Sequence, residues 1–120
     1  GHHQGDHVIQ NVATLLQGMT RQGVDAVVRY GGEEFLLILP VTTLAGAAGL
    51  AHRLRDAFAA LTFTVDGEPV PTSASFGVAA YDFSSADLRV TLPDLIVAAD
   101  KQLYAAKRNG RNRVESVELA

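Results

Sequence analysis

The 120 residues include no cysteine, which excludes disulfides, thiolate zinc sites and thiol nucleophiles together and suits a reducing compartment. A cytoplasmic location is therefore expected. No apolar run approaches the roughly 18 residues needed to cross a bilayer, and the first residues lack the basic and apolar regions of a signal peptide. This segment is expected to make no membrane contact, any tether lying elsewhere in the parent protein. An excess of positive charge is also missing: the net charge is −3 and the pI about 5.7. The chain as a whole repels polyanions, so nucleic acid is not an expected partner and any phosphate site must be a local basic patch. Neither a Gly-x-x-x-x-Gly-Lys-Ser/Thr loop nor a nucleophile elbow is present, and Ser73 and Ser75 fall in an expected strand. That argues against P-loop ATPase and serine hydrolase chemistry.

The hydrophobic fraction of 48% suffices for one core, and the length suits one domain. Apolar positions 8, 9, 12, 15, 16 and 19 carry a helical spacing that predicts a helix over 7–18, with Asp6 as its N-cap. Runs at 24–29 and 34–40 read as a hairpin around Tyr30-Gly31-Gly32. The second of these, FLLILP, is apolar on both faces and belongs in a covered sheet. An alanine-rich amphipathic pattern predicts a helix over 43–61. Residues 63–65, the turn Asp66-Gly67 and residues 71–80 read as another strand pair, and 82–92 as a polar loop. A third helix is expected over 93–108, with Pro93 in its first turn, Lys107 and Arg108 in its last, and Gly110 ending it. A short strand follows at 114–119. Strands alternating with helices indicate an α/β or α+β sandwich with helices covering a sheet.

A glycine pair between two strands serves an ordinary tight turn equally well. Glu33 and Glu34 beside it do not fit so plain a role. Adjacent carboxylates repel unless a cation or donors compensate, and hard cations such as magnesium take carboxylate oxygens beside substrate phosphates. The bare backbone of Gly31 and Gly32 would admit a phosphate close to peptide N–H groups. At the other end of the chain, AADKQLYAAKRNGRNRV gathers Lys107, Arg108, Arg111 and Arg113. Cations suit a helix C-terminus, but Arg111 and Arg113 lie beyond the cap, which leaves phosphate binding as the competing reading. His3 and His7 have the four-residue spacing of helical metal ligands, but without the general-base glutamate of zinc proteases and with Gly5 between them. Asp6 could accept from the paired N–H groups of a guanine edge as well as cap a helix. His52, beside Arg53 and Arg55 in mid-helix, is expected to be solvated.

Taken in order, GHHQGD (1–6), RYGGEEF (29–35), SFGVA (75–79) and ADKQLYAAKRNGRN (99–112) resemble the GGDEF domain of bacterial diguanylate cyclases along almost the whole chain. The resemblance implies a fold like the palm of class III nucleotide cyclases, with a central, mostly antiparallel sheet flanked by helices. It also implies the joining of two GTP molecules into cyclic di-GMP in a head-to-tail homodimer, with magnesium or manganese as cofactor and a sensory domain upstream. Carried over by residue, Glu33 would ligate metal and Glu34 would supply a second acidic group near the metals or the attacking hydroxyl. Gly31 and Gly32 would line the phosphates, Asp6 would accept from guanine, and Lys107 with Arg111 would hold the terminal phosphates.

Two departures from the family pattern stand out. Family members begin with an Asp-x-Asp-x-Phe-Lys strand followed by Asn-Asp, which supply another metal ligand and a guanine-binding amide; the sequence here starts after both. Residues 1–120 are thus expected to form a single GGDEF domain lacking its first strand, prone to dimerise and nearly inactive, though able to bind guanine nucleotide. The family's inhibitory site, Arg-x-x-Asp five residues before the glycines, is matched by Asp25 but has Gln22 at the arginine position, with Arg21 one residue early. Arg53 matches the site's secondary arginine, so Arg21, Asp25 and Arg53 form a possible degenerate inhibitory site. The rival function is a non-catalytic module that holds GTP or cyclic di-GMP and signals by interaction. A pure dimerisation domain would leave Glu33, Glu34 and Arg111 unexplained.

Overall fold

The computed structural model describes residues 2–84 and 89–119. Its elements run α1 (His2–Met19), β1 (Ala26–Gly31), β2 (Glu34–Ile38), α2 (Leu44–Ala60), β3 (Thr62–Val65), β4 (Glu68–Pro71), β5 (Phe76–Ala80), α3 (Leu92–Arg108) and β6 (Val114–Glu118). They fall into two compact units, residues 1–41 with 63–70, and residues 42–62 with 71–120. Among the described residues no helix is long and apolar enough to cross a membrane.

In the first unit, α1 starts at His2, earlier than the expected 7. Once a helix is nucleated, each added residue gains a hydrogen bond, so propagation runs back through Gly5 at a cost of about 1 kcal/mol. Asp6 therefore lies inside the helix instead of capping it. Gly18 is likewise inside, and the helix closes where the Thr20 hydroxyl donates to the Leu16 carbonyl at 2.9 Å. Leu16 is buried, at 3% exposure. Strands β1 and β2 pair antiparallel, Ala26 opposite Ile38 and Val28 opposite Leu36. The expectation of a fully covered β2 needs correction: all five of its residues are half-buried, and among the described residues its only sheet partner is β1. A two-stranded ribbon offers one ladder and leaves apolar side chains partly open, as the exposed Val28 and Tyr30 show.

Strand β3 pairs with β4, where the sequence had suggested residues 71–80. The reason is the turn: Asp66 and Gly67 both take positive φ, +54° and +81°, the type I′ geometry that returns the chain at once into its partner. The later strand, β5, begins at Phe76 and pairs in parallel with β6, Phe76 opposite Val114 and Ala80 opposite Glu118. An intervening helix is what a parallel connection requires, and α3 supplies it. Among the described residues the strands pair as three two-stranded sheets.

The second unit is built on two well-capped helices. Gly46 N–H donates to the Thr43 hydroxyl at 3.0 Å to start α2, which buries Ala47, Leu50, Ala51, Leu54 and Phe58 along one stripe. Phe58 meets Phe76 of β5 with ring centroids 6.3 Å apart. At the head of α3, Thr91 and Asp94 form a reciprocal capping box, Thr91 N–H donating to the Asp94 carboxylate at 2.9 Å and Asp94 N–H to the Thr91 hydroxyl at 3.3 Å. These bonds hold the Asp94 carboxyl below its ordinary range. Of the expected loop over 82–92, residues 85–88 lie outside the described residues. Its first part is an Asx turn, Ser84 N–H donating to Asp82 at 2.9 Å.

Strand β5 lies against α3 backbone to backbone at Gly77. A Cβ there would fall on the Ala99 carbonyl oxygen and the Leu103 backbone nitrogen, with the Leu103 Cα only 2.8 Å away. Gly77→Ala is expected to destabilise the protein by about 3 kcal/mol, because neither backbone can yield as a side chain would. Chemical denaturation of the wild type and variant measures this, and an unchanged midpoint would mean that strand and helix do not touch.

Candidate functional site

The β1–β2 hairpin positions the acidic pair. Arg29 stands opposite Phe35 and Gly31 opposite Glu34, so the register shifts between Arg29 and Gly31 and Tyr30 is the extra residue of a bulge. This bulge moves the turn from the expected Tyr30-Gly31-Gly32 to Gly32 and Glu33, with Gly31 ending the strand. Gly32 takes φ +52°, a conformation that glycine adopts without steric cost. No heavy atom lies within 4 Å of where a Cβ would sit on Gly31 or Gly32. The tip is open on that side, and its backbone is accessible to an incoming group. Glu33 is exposed on the turn and Glu34 half-buried at the head of β2.

Sequence reasoning overlooked a cation at this tip. Arg29 Nε donates to the Gly32 carbonyl at 3.0 Å, bringing a guanidinium to a turn that carries two carboxylates. The signal was an arginine two residues before the glycine pair.

Two neighbouring carboxylates are hard oxygen donors, and among the described residues no group of three or more metal-ligating side chains is present. Carboxylate oxygens of this kind are ligands for hard divalent cations. Glu33 and Glu34 are the residues that would hold one.

In the second unit, the end of α3 presents the basic residues. Asn109 caps the helix, its N–H donating to the Ala105 carbonyl at 2.8 Å, and Arg111 N–H reaches the Ala106 carbonyl at 2.9 Å, the six-to-one bond of a Schellman ending. Gly110, Arg111 and Asn112 all have positive φ, +124°, +63° and +47°. For the two non-glycine residues that conformation costs of order 1 kcal/mol each, so surrounding bonds must hold it. Asn112 N–H donates to the Ser75 hydroxyl at 3.1 Å, and Arg113 Nε donates to the Arg111 carbonyl at 3.3 Å. Ser75 thus lies just before β5, outside the strand expected there, and accepts a bond that holds the loop after α3. Lys107 is half-buried in the last turn of α3, and Arg111 is exposed just beyond it.

The side chains of Asp6, His2, His3 and His7 lie outside the described residues. His52 is exposed, as expected, and so is Arg53 on α2 in the second unit. Arg21 and Asp25 form a closed pair in the first. Arg21 Nη2 donates to Asp25 Oδ1 at 2.7 Å, Nε donates to Oδ2 at 3.1 Å, and the Arg21 backbone N–H adds a bond to Oδ2 at 2.7 Å. Arg21 Nη2 also donates to the Pro40 carbonyl at 2.8 Å, tying the loop after α1 to the end of the hairpin. The Asp25 side chain is 2% exposed. Hydrogen bonding from Arg21 holds its carboxyl below the usual range, against an opposing push from burial.

A depressed carboxyl pKa stabilises the fold above the unfolded value of about 3.9, and the contribution disappears as pH falls through the lower folded value. Asp25→Asn is therefore expected to lower the melting temperature at pH 7, with the gap to wild type closing as the pH drops below about 3.9. Melting curves of both proteins from pH 7 to pH 2.5 test this, and a gap that persists undiminished at the acid end would disprove the charge pairing.

A family model described as "Diguanylate cyclase, GGDEF domain" matches residues 1–113. Diguanylate cyclase A of Treponema denticola is 39% identical over 114 residues, 95% of this chain and 29% of the relative. The active GGEEF domain of a diguanylate cyclase from Vibrio cholerae superposes with a TM-score of 0.79 at 32% identity, covering all of this chain and 72% of that one. The GGDEF domain of DgcB from Caulobacter crescentus, solved in complex with c-di-GMP, gives a TM-score of 0.84 at 29% identity, covering 97% of this chain and 66% of that one. The chain spans less than a third of the length of the first relatives it matches.

Proposed function

The chain belongs to the GGDEF family of diguanylate cyclase domains, and on that premise we propose that its parent condenses two GTP molecules into cyclic di-GMP, releasing pyrophosphate, with magnesium or manganese. The observation that carries this reading is the hairpin tip: an intact, sterically open Gly31-Gly32 turn with Glu33 and Glu34 adjoining it.

Phosphoryl transfer asks a protein mainly for positioning and for neutralising charge. Glu33 and Glu34 hold the divalent cation, which when bound draws charge from the phosphate oxygens. The bare backbone at Gly31 and Gly32 lets the phosphates come close to peptide N–H groups. Lys107 and Arg111 make charge-assisted hydrogen bonds to the terminal phosphates, Arg111 from a backbone position set by the Ser75 and Ala106 bonds. Asp6 takes the guanine edge. Each domain of a homodimer contributes one GTP, since the product joins two nucleotides.

The family match over residues 1–113 supports reading the chain as one domain. We further propose that an extended segment completes the sheet along β2, whose apolar residues are only half-buried and whose one partner among the described residues is β1. For residues 1–120 in isolation, nucleotide binding with little turnover is the expected behaviour. This leaves the second reading, a module that binds GTP or cyclic di-GMP without chemistry, open to the same experiments.

Calorimetry with GTP is expected to show binding that strengthens on adding magnesium. Glu33→Ala should abolish the magnesium dependence, and Lys107→Ala and Arg111→Ala should each weaken binding by about ten-fold, the worth of one charge-assisted contact. A parent protein that binds cyclic di-GMP yet never consumes GTP would establish the second reading, and binding of neither nucleotide would exclude both.

A further inference from the structure

We propose that Arg29 is a positioning residue for the metal and nucleotide site, orienting the Gly32–Glu33 peptide; the inference rests on the nucleotide reading above. Arg29 Nε donates to the Gly32 carbonyl at 3.0 Å across the Tyr30 bulge. That carbonyl belongs to the turn, outside the paired positions Gly31 and Glu34, so the guanidinium supplies the bond that a ladder would otherwise give.

In a trans peptide the C=O and the following N–H lie in one plane and point in opposite directions. Turning the Gly32 oxygen toward Arg29 therefore turns the Glu33 N–H away from it, to the opposite side of the tip. Glycine alone would not hold this arrangement, because Gly32 at φ +52° can reach conformations of either sign at little cost. Without the anchor the plane can flip, and a carbonyl oxygen then replaces the N–H donor. For a triphosphate approaching through metal held by Glu33 and Glu34, that exchange puts an acceptor where a donor is needed.

The chemistry distinguishes arginine from lysine. Guanidinium presents Nε–H in a fixed planar fork, whereas an ammonium is a point charge on a flexible stem. If Arg29 served only as a local positive charge, lysine would replace it.

The test uses 15N-labelled wild type, Arg29→Lys and Arg29→Ala, with the Glu33 amide resonance, the melting temperature and GTP affinity in magnesium as readouts. Both substitutions are expected to shift the Glu33 resonance while signals from α2 and the melting temperature stay in place, and both to weaken magnesium–GTP binding by about ten-fold. Wild-type affinity in Arg29→Lys alongside loss in Arg29→Ala would show charge without orientation and overturn the proposal. An unmoved Glu33 resonance in both variants would overturn it equally. A wild type that binds no GTP is a separate failure, that of the nucleotide reading itself, and is recognised before any substitution is made; Arg29 would then only brace a turn.

Discussion

Repulsion between two neighbouring carboxylates is the constraint around which the first unit is arranged. Glu33 and Glu34 follow one another at the point where β1 turns into β2, and each feature of that turn bears on how their charge is tolerated. Setting Glu33 on the exposed turn and Glu34 at the head of the strand keeps both near water, where the repulsion is screened. The bulge at Tyr30 makes the turn two residues long, and Gly32 accepts the left-handed conformation that results. A guanidinium closes the arrangement by taking the turn's carbonyl. In the proposed reaction a divalent cation with its phosphates would complete the neutralisation.

The second unit solves a different problem, that of holding cations at a defined place beyond a helix end. A helix C-terminus attracts positive charge, but the attraction fades within a turn and does not reach Arg111. Its backbone is held instead by the bond to Ala106, by the left-handed run through Asn112, and by the Ser75 hydroxyl reaching across from the strand side. The conformational cost of two left-handed non-glycine residues is the mark of a position the fold has gone out of its way to define.

Periodicity made the helices legible. The stripe of apolar residues over 43–61 translated directly into α2 with Thr43 and Leu61 as its caps, and Pro93 and Gly110 bracketed α3 to within a residue. Strand pairing was less visible, because a pattern of alternation shows that a segment is extended without showing which segment it meets. The Asp66-Gly67 turn in fact specified an immediate partner, and attending to its two positive-φ positions would have prevented the assignment of 71–80. The composition of the acidic tip could be read from the sequence, but its register could not, since a bulge leaves no residue signature beyond the glycines. Arg21 was read as a displaced arginine of an inhibitory site. Its pairing with Asp25 is a four-residue contact within one loop, whereas its bond to the Pro40 carbonyl depends on where two loops come together, which no local pattern encodes.

Gly77 has a mechanical corollary. With no side chain between them, the backbones of β5 and α3 are in direct contact, and backbone atoms cannot rotate aside as rotamers do. The helix is therefore barred from sliding or rolling across the strand there, and a displacement of either element must carry the other with it, as a lever moves with its fulcrum.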